Sequence, residues 1–345
     1  MQNSVEVINC NGLPNGLKAY GGQAGQKKPV IYQGSLWLLK YPQNTKSSDT
    51  IMVSYTTSPL SEYIGSHIYN ILGYDTHLTK LGVEGNKCVV LCKDFRPNNE
   101  EYYDFSQILS VSLGIEADEK MIEEAGNTTG PDGKGVNLKR ILYTLDHNTF
   151  LPPESKDRFW DMFIVDGFIS NSDRHNGNWG FLGDLAHLKL SPVFDNGNSF
   201  LAKTPDDKIE KILHDDNAFN NLIYAGNSPF FVRNKSVDLI SAVRKLNFPY
   251  NDVDTKPLMK AIEKNVPLIQ DKFPEIVSMI DDIPEYAMSN GQKVTIMTEA
   301  RKQVYKKLLS SRLNLVLNKA LNKVRQENSK RPGIHRKPNG VDYQI

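Results

Sequence analysis

Residues 157–170 carry apolar side chains on nearly every side of one helical stretch: Phe159, Trp160, Met162, Phe163, Ile164, Val165, Phe168 and Ile169. A surface helix shows a single apolar stripe, whereas a helix apolar all round has to be enclosed by other elements. The chain therefore needs a sizeable core around this segment. Its 345 residues, 39% of them hydrophobic, can build one, and at roughly 100–200 residues per domain they suggest two lobes or domains. The segment after the buried helix is polar: Ser172-Asp173-Arg174-His175-Asn176-Gly177-Asn178-Trp179-Gly180.

Composition excludes several classes. The cysteines Cys10, Cys88 and Cys92 are odd in number and form no CxxC pair, which argues against a disulfide framework or a zinc site and fits a reducing cytosol. Residues 1–20 lack a charged start followed by an apolar run, so no signal peptide is expected. No run of 18 apolar residues exists to span a membrane. A cytoplasmic location is the expectation, with export to a host cell left open. Between Arg301 and Lys337 there are twelve Lys/Arg and one acid, Glu327, a net of +11 in a chain whose total is +1, so the remainder sums to −10. That basic end suits an acidic partner; the plainer reading is a solvated helix face and a solubilising tail.

Residues 18–28, Lys-Ala-Tyr-Gly-Gly-Gln-Ala-Gly-Gln-Lys-Lys, form a glycine-rich basic loop. Two apolar runs, Val30–Tyr32 and Leu36–Tyr41, flank Gln33-Gly34 and read as a β-hairpin. Lys40 shares a face with Leu36 and Leu38 and needs an anionic partner there. Ser58-Pro59 reads as a helix start with Ser58 as N-cap; Ile64, Ile68, Ile71 and Leu72 give the helical period, and Gly73 ends it. Glu62 projects with Gly65, Ser66 and Tyr69, where small residues let another element approach. Residues Lys87–Phe95 read as a buried strand running into a connector, and Arg96-Pro97-Asn98-Asn99 marks a boundary. The expected division is 1–97, 98–328 and a basic disordered tail at 329–345, with residues 297–326 a basic amphipathic helix. Residues 126–135 superficially resemble a phosphate-binding loop, but Gly135 stands where Ser or Thr must bind magnesium, so the segment reads as plain loop.

Leu188–Phe194 reads as a strand that delivers Asp195-Asn196-Gly197. An Asp, an Asn five residues later and a second Asp on the next hairpin are what phosphoryl transfer needs: one carboxylate to orient the attacking hydroxyl and accept its proton, and two oxygen donors for Mg²⁺. Each piece alone has a plainer explanation. Asp173 suits a turn or cap, Asp195-Asn196-Gly197 is a good turn by itself, Lys40 suits a snorkelling strand lysine, and Glu62 a first-turn acid complementing the helix dipole. The order changes the balance: glycine-rich loop, hairpin lysine, helix glutamate, connector strand, Asp-x-x-x-x-Asn, Asp-x-Gly.

Asp173–Phe181, preceded by Phe-Trp-Asp-Met-Phe at 159–163, resembles the HipA-like kinases, within them the CtkA-type branch. Tyr20–Gly25, Leu38–Pro42, Ser61–Ile68 and Cys92–Phe95 extend the resemblance, which covers roughly residues 18–200 well. It implies an α+β, two-lobed protein-kinase-like fold, with a small β-rich N-lobe carrying one main helix and a larger, mostly helical C-lobe. It implies an ATP- and Mg²⁺-dependent Ser/Thr kinase acting on a protein hydroxyl and on itself, with an antitoxin-like or host protein as partner. By position, Gly21, Gly22, Gln23, Ala24, Gly25, Gln26, Lys27 and Lys28 would cover the phosphates. Lys40 would bind the α/β-phosphates, oriented by Glu62. Cys92, Lys93, Asp94 and Phe95 would hold the adenine. Asp173 would be the base, His175 would hold its loop together beside the nucleotide, and Asn178 and Asp195 would take the metal.

Two departures stand out. Asp195-Asn196-Gly197 lacks the middle Phe of eukaryotic kinases. Residues 18–34 contain no Ser or Thr, which puts in doubt the switch in which phosphorylation of a loop serine expels the phosphate loop. Competing readings are a phosphoinositide or small-molecule kinase, because Asp-Arg-His-x-x-Asn also marks lipid kinases, a pseudokinase binding module, and a metallohydrolase using Asp173, His175 and Asp195.

Overall fold

The structure is a computed structural model that describes residues 5–18, 27–44, 56–96, 100–114 and 135–330. A five-stranded sheet is built from β1 (Ile8–Asn9), β2 (Lys27–Tyr32), β3 (Ser35–Lys40), β4 (Thr79–Glu84) and β5 (Lys87–Lys93), in the order β1-β4-β5-β3-β2. β1 pairs parallel with β4; the other neighbours are antiparallel. The hairpin expected at Gln33-Gly34 is present. Tyr32 pairs with Ser35, and both turn residues have positive φ, +48° and +71°. Two left-handed residues in a two-residue turn match the twist of the flanking strands. β2 begins earlier than the apolar run indicates, so Lys27 and Lys28 belong to a strand and not to the glycine-rich loop. Residues 19–26 of that loop lie outside the described residues.

Helix α1 (Ser58–Ile71) crosses the sheet. Its N-cap is Thr57 rather than Ser58, because the Ser58 hydroxyl is engaged with Thr56 Oγ1 at 2.8 Å and the chain already turns helical there. Leu60, Ile64 and Ile68 bury against the sheet, and Gly73, at φ +79°, closes the end as expected.

The second half is mostly helical: α2 (Phe105–Gly114), α3 (Leu138–His147), α4 (Ser155–Ile169), α5 (Asp206–His214), α6 (Asp216–Tyr224), α7 (Leu239–Lys245), α8 (Lys256–Asp281), α9 (Glu299–Arg312) and α10 (Asn318–Ser329). α4 is the all-apolar segment, and it is enclosed by α3, α7, α8 and α9. Short strands β6 (Tyr102–Asp104), β7 (Val136–Asn137), β8 (Gly180–Leu182), β9 (Lys189–Leu190), β10 (Phe230–Val232) and β11 (Lys235–Ser236) form two small sheets. The strand expected over Leu188–Phe194 is shorter. Pro192 has no N–H to give a ladder, and beyond it Val193 leaves β8 and bonds to the segment after α1: Val193 N–H to Asp75 O at 2.8 Å, His77 N–H to Val193 O at 3.2 Å. This switch carries Asp195 under the N-terminal sheet. The hairpin β12 (Tyr286–Ser289) and β13 (Gln292–Thr295) reaches back to β4 and β5, and Asn11 Nδ2 donates to Ser289 Oγ at 3.0 Å.

The basic amphipathic helix expected over residues 297–326 is present from Glu299 onward, with Val304, Leu308, Val316, Leu317, Leu321 and Val324 buried. It runs on through a π-helical turn at Leu313–Leu317, and Arg301, Lys302, Lys306 and Arg312 are taken up by the fold while Lys307, Lys319, Lys323 and Arg325 stay exposed. Arg301, 1% exposed, pairs with Asp206 at 2.7 Å; Lys302 donates to Asp281 O and Lys306 to the Asp281 carboxylate. Arg312, also 1% exposed, donates to the carbonyls of Gly167, Leu222 and Ala225 and to Ser170 Oγ. Burial pulls its guanidinium down to about 10, still charged at neutral pH. One cation thus satisfies the final carbonyls of α4 and α6, both at the negative ends of helices. Arg312→Met should leave those carbonyls buried without donors and destabilise the protein by about 3–5 kcal/mol. Urea denaturation reads this directly; an unchanged midpoint would contradict it.

Candidate active site

Lys27, Lys40, Glu62, Cys92, Lys93, Asp94, Phe95, Asp173, His175, Asn178 and Asp195 all line one cleft of about 590 Å³ between the sheet and the helical part. Of the described positions expected there, only Lys28 is absent: β2 turns it outward to Glu84, at 3.5 Å. Gly21 to Gln26 lie outside the described residues.

Strand alternation puts Leu38 and Lys40 on the cleft side of β3. Lys40 Nζ stands 2.9 Å from Glu62 Oε2 and 3.0 Å from Asp195 Oδ1. Burial opposes its charge, but Asp195 and then Glu62 outweigh it and hold the ammonium well above the usual lysine value. Glu62 is 1% exposed. Burial works against its charge too, yet Lys40 first, then His77, keep it ionised well below the usual carboxylate range. Its second oxygen, Oε1, accepts from the Asn196 backbone N–H and from His77 Nε2, each at 3.0 Å.

The face of α1 carrying Glu62, Gly65, Ser66 and Tyr69 does meet another element, the Asp195 loop and α4. A Cβ on Gly65 would stand 2.6 Å from Asn196 Cβ. Ser66 Oγ accepts from Asn196 Nδ2 at 3.1 Å, Tyr69 OH donates to Asp166 Oδ1 at 2.9 Å, and Ser61 Oγ donates to Ser199 O at 2.8 Å. Asp195 has φ +58°, a left-handed conformation that non-glycine residues seldom hold without such support.

Arg174 fixes the loop below. It is 2% exposed and donates to both oxygens of Asp166 on α4, at 2.9 and 3.0 Å, to Asn178 O at 2.9 Å, to Phe194 O, and to Asn196 Oδ1 at 2.6 Å. The buried helix thereby positions both the Asp173 and the Asp195 segments. Asn178 Nδ2 donates to Asp173 O at 2.7 Å, which leaves its amide oxygen as the atom able to meet a cation. Asp173 Oδ2 accepts from Asn198 Nδ2 at 2.6 Å. Burial raises the Asp173 carboxyl above its ordinary value; His175 lowers it, Asp195 adds to the rise, and Asn198 and Lys203 offset part of it. His175 Nδ1 accepts from Gly177 N–H at 3.0 Å, holding the turn as expected. Phe95, Tyr102 and Phe194 pack ring against ring at 5.4–5.9 Å beside the connector.

His77, Arg174, Asn196 and Asn198 were not assigned from sequence. Asn198 was within reach, two residues past Asn196 in an Asn-rich run. His77 sits in a connector with no pattern around it. A carboxylate oxygen of Glu62, a ring nitrogen of His77 and Cys92 Sγ fall within 4.8 Å of one another, as ligands to a soft cation would. Glu62 and His77 are bonded to each other and Glu62 also serves Lys40, while burial pushes the Cys92 thiol well up, away from the thiolate a metal needs.

A curled sheet with one helix, joined by a connector to a helical body with a cleft between them, defines a two-lobed protein-kinase-like fold. The chain is 31% identical over 293 residues to the serine/threonine-protein kinase CtkA of Helicobacter pylori strain J99, across 84% of this chain and 82% of that protein. The crystal structure of a Helicobacter pylori proinflammatory kinase CtkA matches with TM-score 0.72 at 28% identity, over 93% of this chain and 99% of that one. A chain of the Shewanella oneidensis MR-1 toxin–antitoxin complex of HipA, HipB and operator DNA matches with TM-score 0.49 at 14% identity, over 90% of this chain and 69% of that one. No family model matches the chain. The chain belongs to the CtkA family and is a serine/threonine-protein kinase.

The Gly65–Asn196 approach is directly testable. Gly65→Ala forces α1 away from the Asp195 loop and should cost about 1–3 kcal/mol of stability. Kinase activity should fall at least about 10-fold, since misplacement of the groups around a reacting centre by an ångström is enough for that. Full activity in the variant would show that the close approach is not needed.

Proposed function

We propose that this kinase transfers the γ-phosphate of MgATP to a Ser or Thr hydroxyl of a protein, itself included, with Asp173 as base and Lys40, Glu62, Asn178 and Asp195 as the phosphate- and metal-holding set. The observation that carries the reading is Lys40 held between Glu62 and Asp195, 2.9 and 3.0 Å away, over the same cleft that Asp173 lines.

The donor set fits a hard divalent cation. Asp195 offers a carboxylate whose side chain is 40% exposed to the cleft, and Asn178 offers an amide oxygen. Mg²⁺ takes few protein oxygens and keeps the rest for phosphate and water. When bound it would neutralise charge on the β- and γ-phosphates. Lys40 donates to phosphate oxygens while Glu62 keeps it aimed. Adenine would lie against the connector. There the N–H groups of Lys93 and Asp94 are taken by Leu78 O and Leu36 O, so Phe95 N–H is the donor proposed for the ring. Asp173 orients the acceptor hydroxyl and takes its proton. The hydroxyl oxygen–phosphorus bond forms, the γ-phosphorus–oxygen bond to the β-phosphate breaks, and ADP leaves with the electron pair. The basic segment beyond residue 330, outside the described residues, is the part proposed to meet an acidic partner, since much of the preceding helix is charge-matched within the fold.

Asp173→Asn should lower kcat by about 10²–10⁴-fold while MgATP binding, read by calorimetry, stays intact. Asp195→Ala should weaken nucleotide binding only when Mg²⁺ is present. Asp173 must be ionised to act, and burial raises its pKa, so the acid limb of kcat/KM should lie above the ordinary aspartate value, activity rising with pH through it. Full activity in Asp173→Asn would transfer the base role to another group.

A further inference from the structure

His77 lies between α1 and β4, is 4% exposed, and takes no part in the phosphoryl-transfer steps themselves. Its Nε2 stands 3.0 Å from Glu62 Oε1 and 3.0 Å from Ser66 Oγ. A ring nitrogen carries at most one proton, and the carboxylate is the stronger acceptor. A bare Nε2 would set lone pair against lone pair in a buried site. The proton therefore sits on Nε2 and points at Glu62. Ser66 Oγ accepts from Asn196 Nδ2 at 3.1 Å, and Asn196 N–H donates to the same Glu62 Oε1 at 3.0 Å. Two donors thus occupy Oε1, and Oε2 is left to Lys40.

We propose that His77 is a positioning residue for phosphoryl transfer. By donating from Nε2 it fixes the rotation of the Glu62 carboxylate, so that one oxygen aims Lys40 and the other holds the backbone beside Asp195. This rests on the proposed roles of Lys40, Glu62 and Asp195 in holding phosphate and metal. Without the donor, Oε1 keeps only Asn196 N–H, and the carboxylate is free to turn both oxygens toward Lys40, loosening the Asp195 loop. The loss falls on the arrangement of phosphate against acceptor, and so on kcat more than on KM for ATP.

The test is kcat, KM for ATP and melting temperature of the full chain for wild type, His77→Gln, His77→Phe and His77→Met, with Glu62→Gln alone and combined with His77→Phe. Glutamine can place an N–H close to where Nε2 lies; Phe and Met cannot. Phe and Met should lose at least about 10-fold in kcat with KM within about 3-fold, and Gln should recover to within about 3-fold of wild type. Adding His77→Phe to Glu62→Gln should cost no more than about 3-fold further, because both act through one group. Wild-type kcat in Phe or Met, a Gln variant as impaired as those two at equal melting temperature, or fully multiplied losses in the double variant would overturn the proposal. So would failure of both donor-less variants to fold, which makes His77 structural. An unaffected Glu62→Gln would instead remove the reading of the site itself.

Discussion

The structure turns on one buried carboxylate. Glu62 is charged, almost wholly out of solvent, and contacted by three parts of the chain: Lys40 from the sheet, His77 from the segment after α1, and the Asn196 backbone from the helical body. A buried charge left unpaired is strongly destabilising, so each partner is held as firmly as it holds. Lys40 connects Glu62 to Asp195, and Arg174 connects the Asp195 segment to Asp173 and to the buried helix. Residues from opposite walls of a cleft are in this way fixed relative to one another.

The same bonds make α1 a mechanical part of the helical body as much as of the sheet. Ser61, Glu62, Ser66 and Tyr69 all bond across to it, and Gly65 removes the side chain that would keep the two apart. Swinging this helix outward would break all of these contacts together.

Much of this was legible in the sequence because it depends on local patterns. The Gln33-Gly34 turn, the all-apolar α4, the Gly73 helix end and the spacing from Asp173 to Asn178 each have a physical signature a few residues long. The small face of α1 was legible as a face, though not its partner. What was hidden depends on contacts between distant segments. Nothing around His77 marks it, because its role comes from Glu62 fifteen residues earlier and a loop more than a hundred residues later. The basic C-terminal helix was legible as a helix with an apolar stripe, but charge counted along the chain gives no sign that Asp206, Asp281 and helix-end carbonyls take up Arg301, Lys306 and Arg312. The shortened strand before Asp195 was foreseeable from Pro192, whose missing N–H was outweighed by the apolar run around it.

In the mechanism we propose, Asp195 and Asn178 hold the cation while Lys40, aimed by Glu62, holds the phosphates above Asp173. A crystal structure with Mn²⁺ and a non-hydrolysable ATP analogue, read by the anomalous signal of the manganese, tests it most directly. The expected result is a manganese peak bonded to an oxygen of Asp195 and to the amide oxygen of Asn178, with Lys40 still on Glu62 and in contact with phosphate. Manganese bound away from both residues, or Lys40 parted from Glu62 with nucleotide in place, would contradict it.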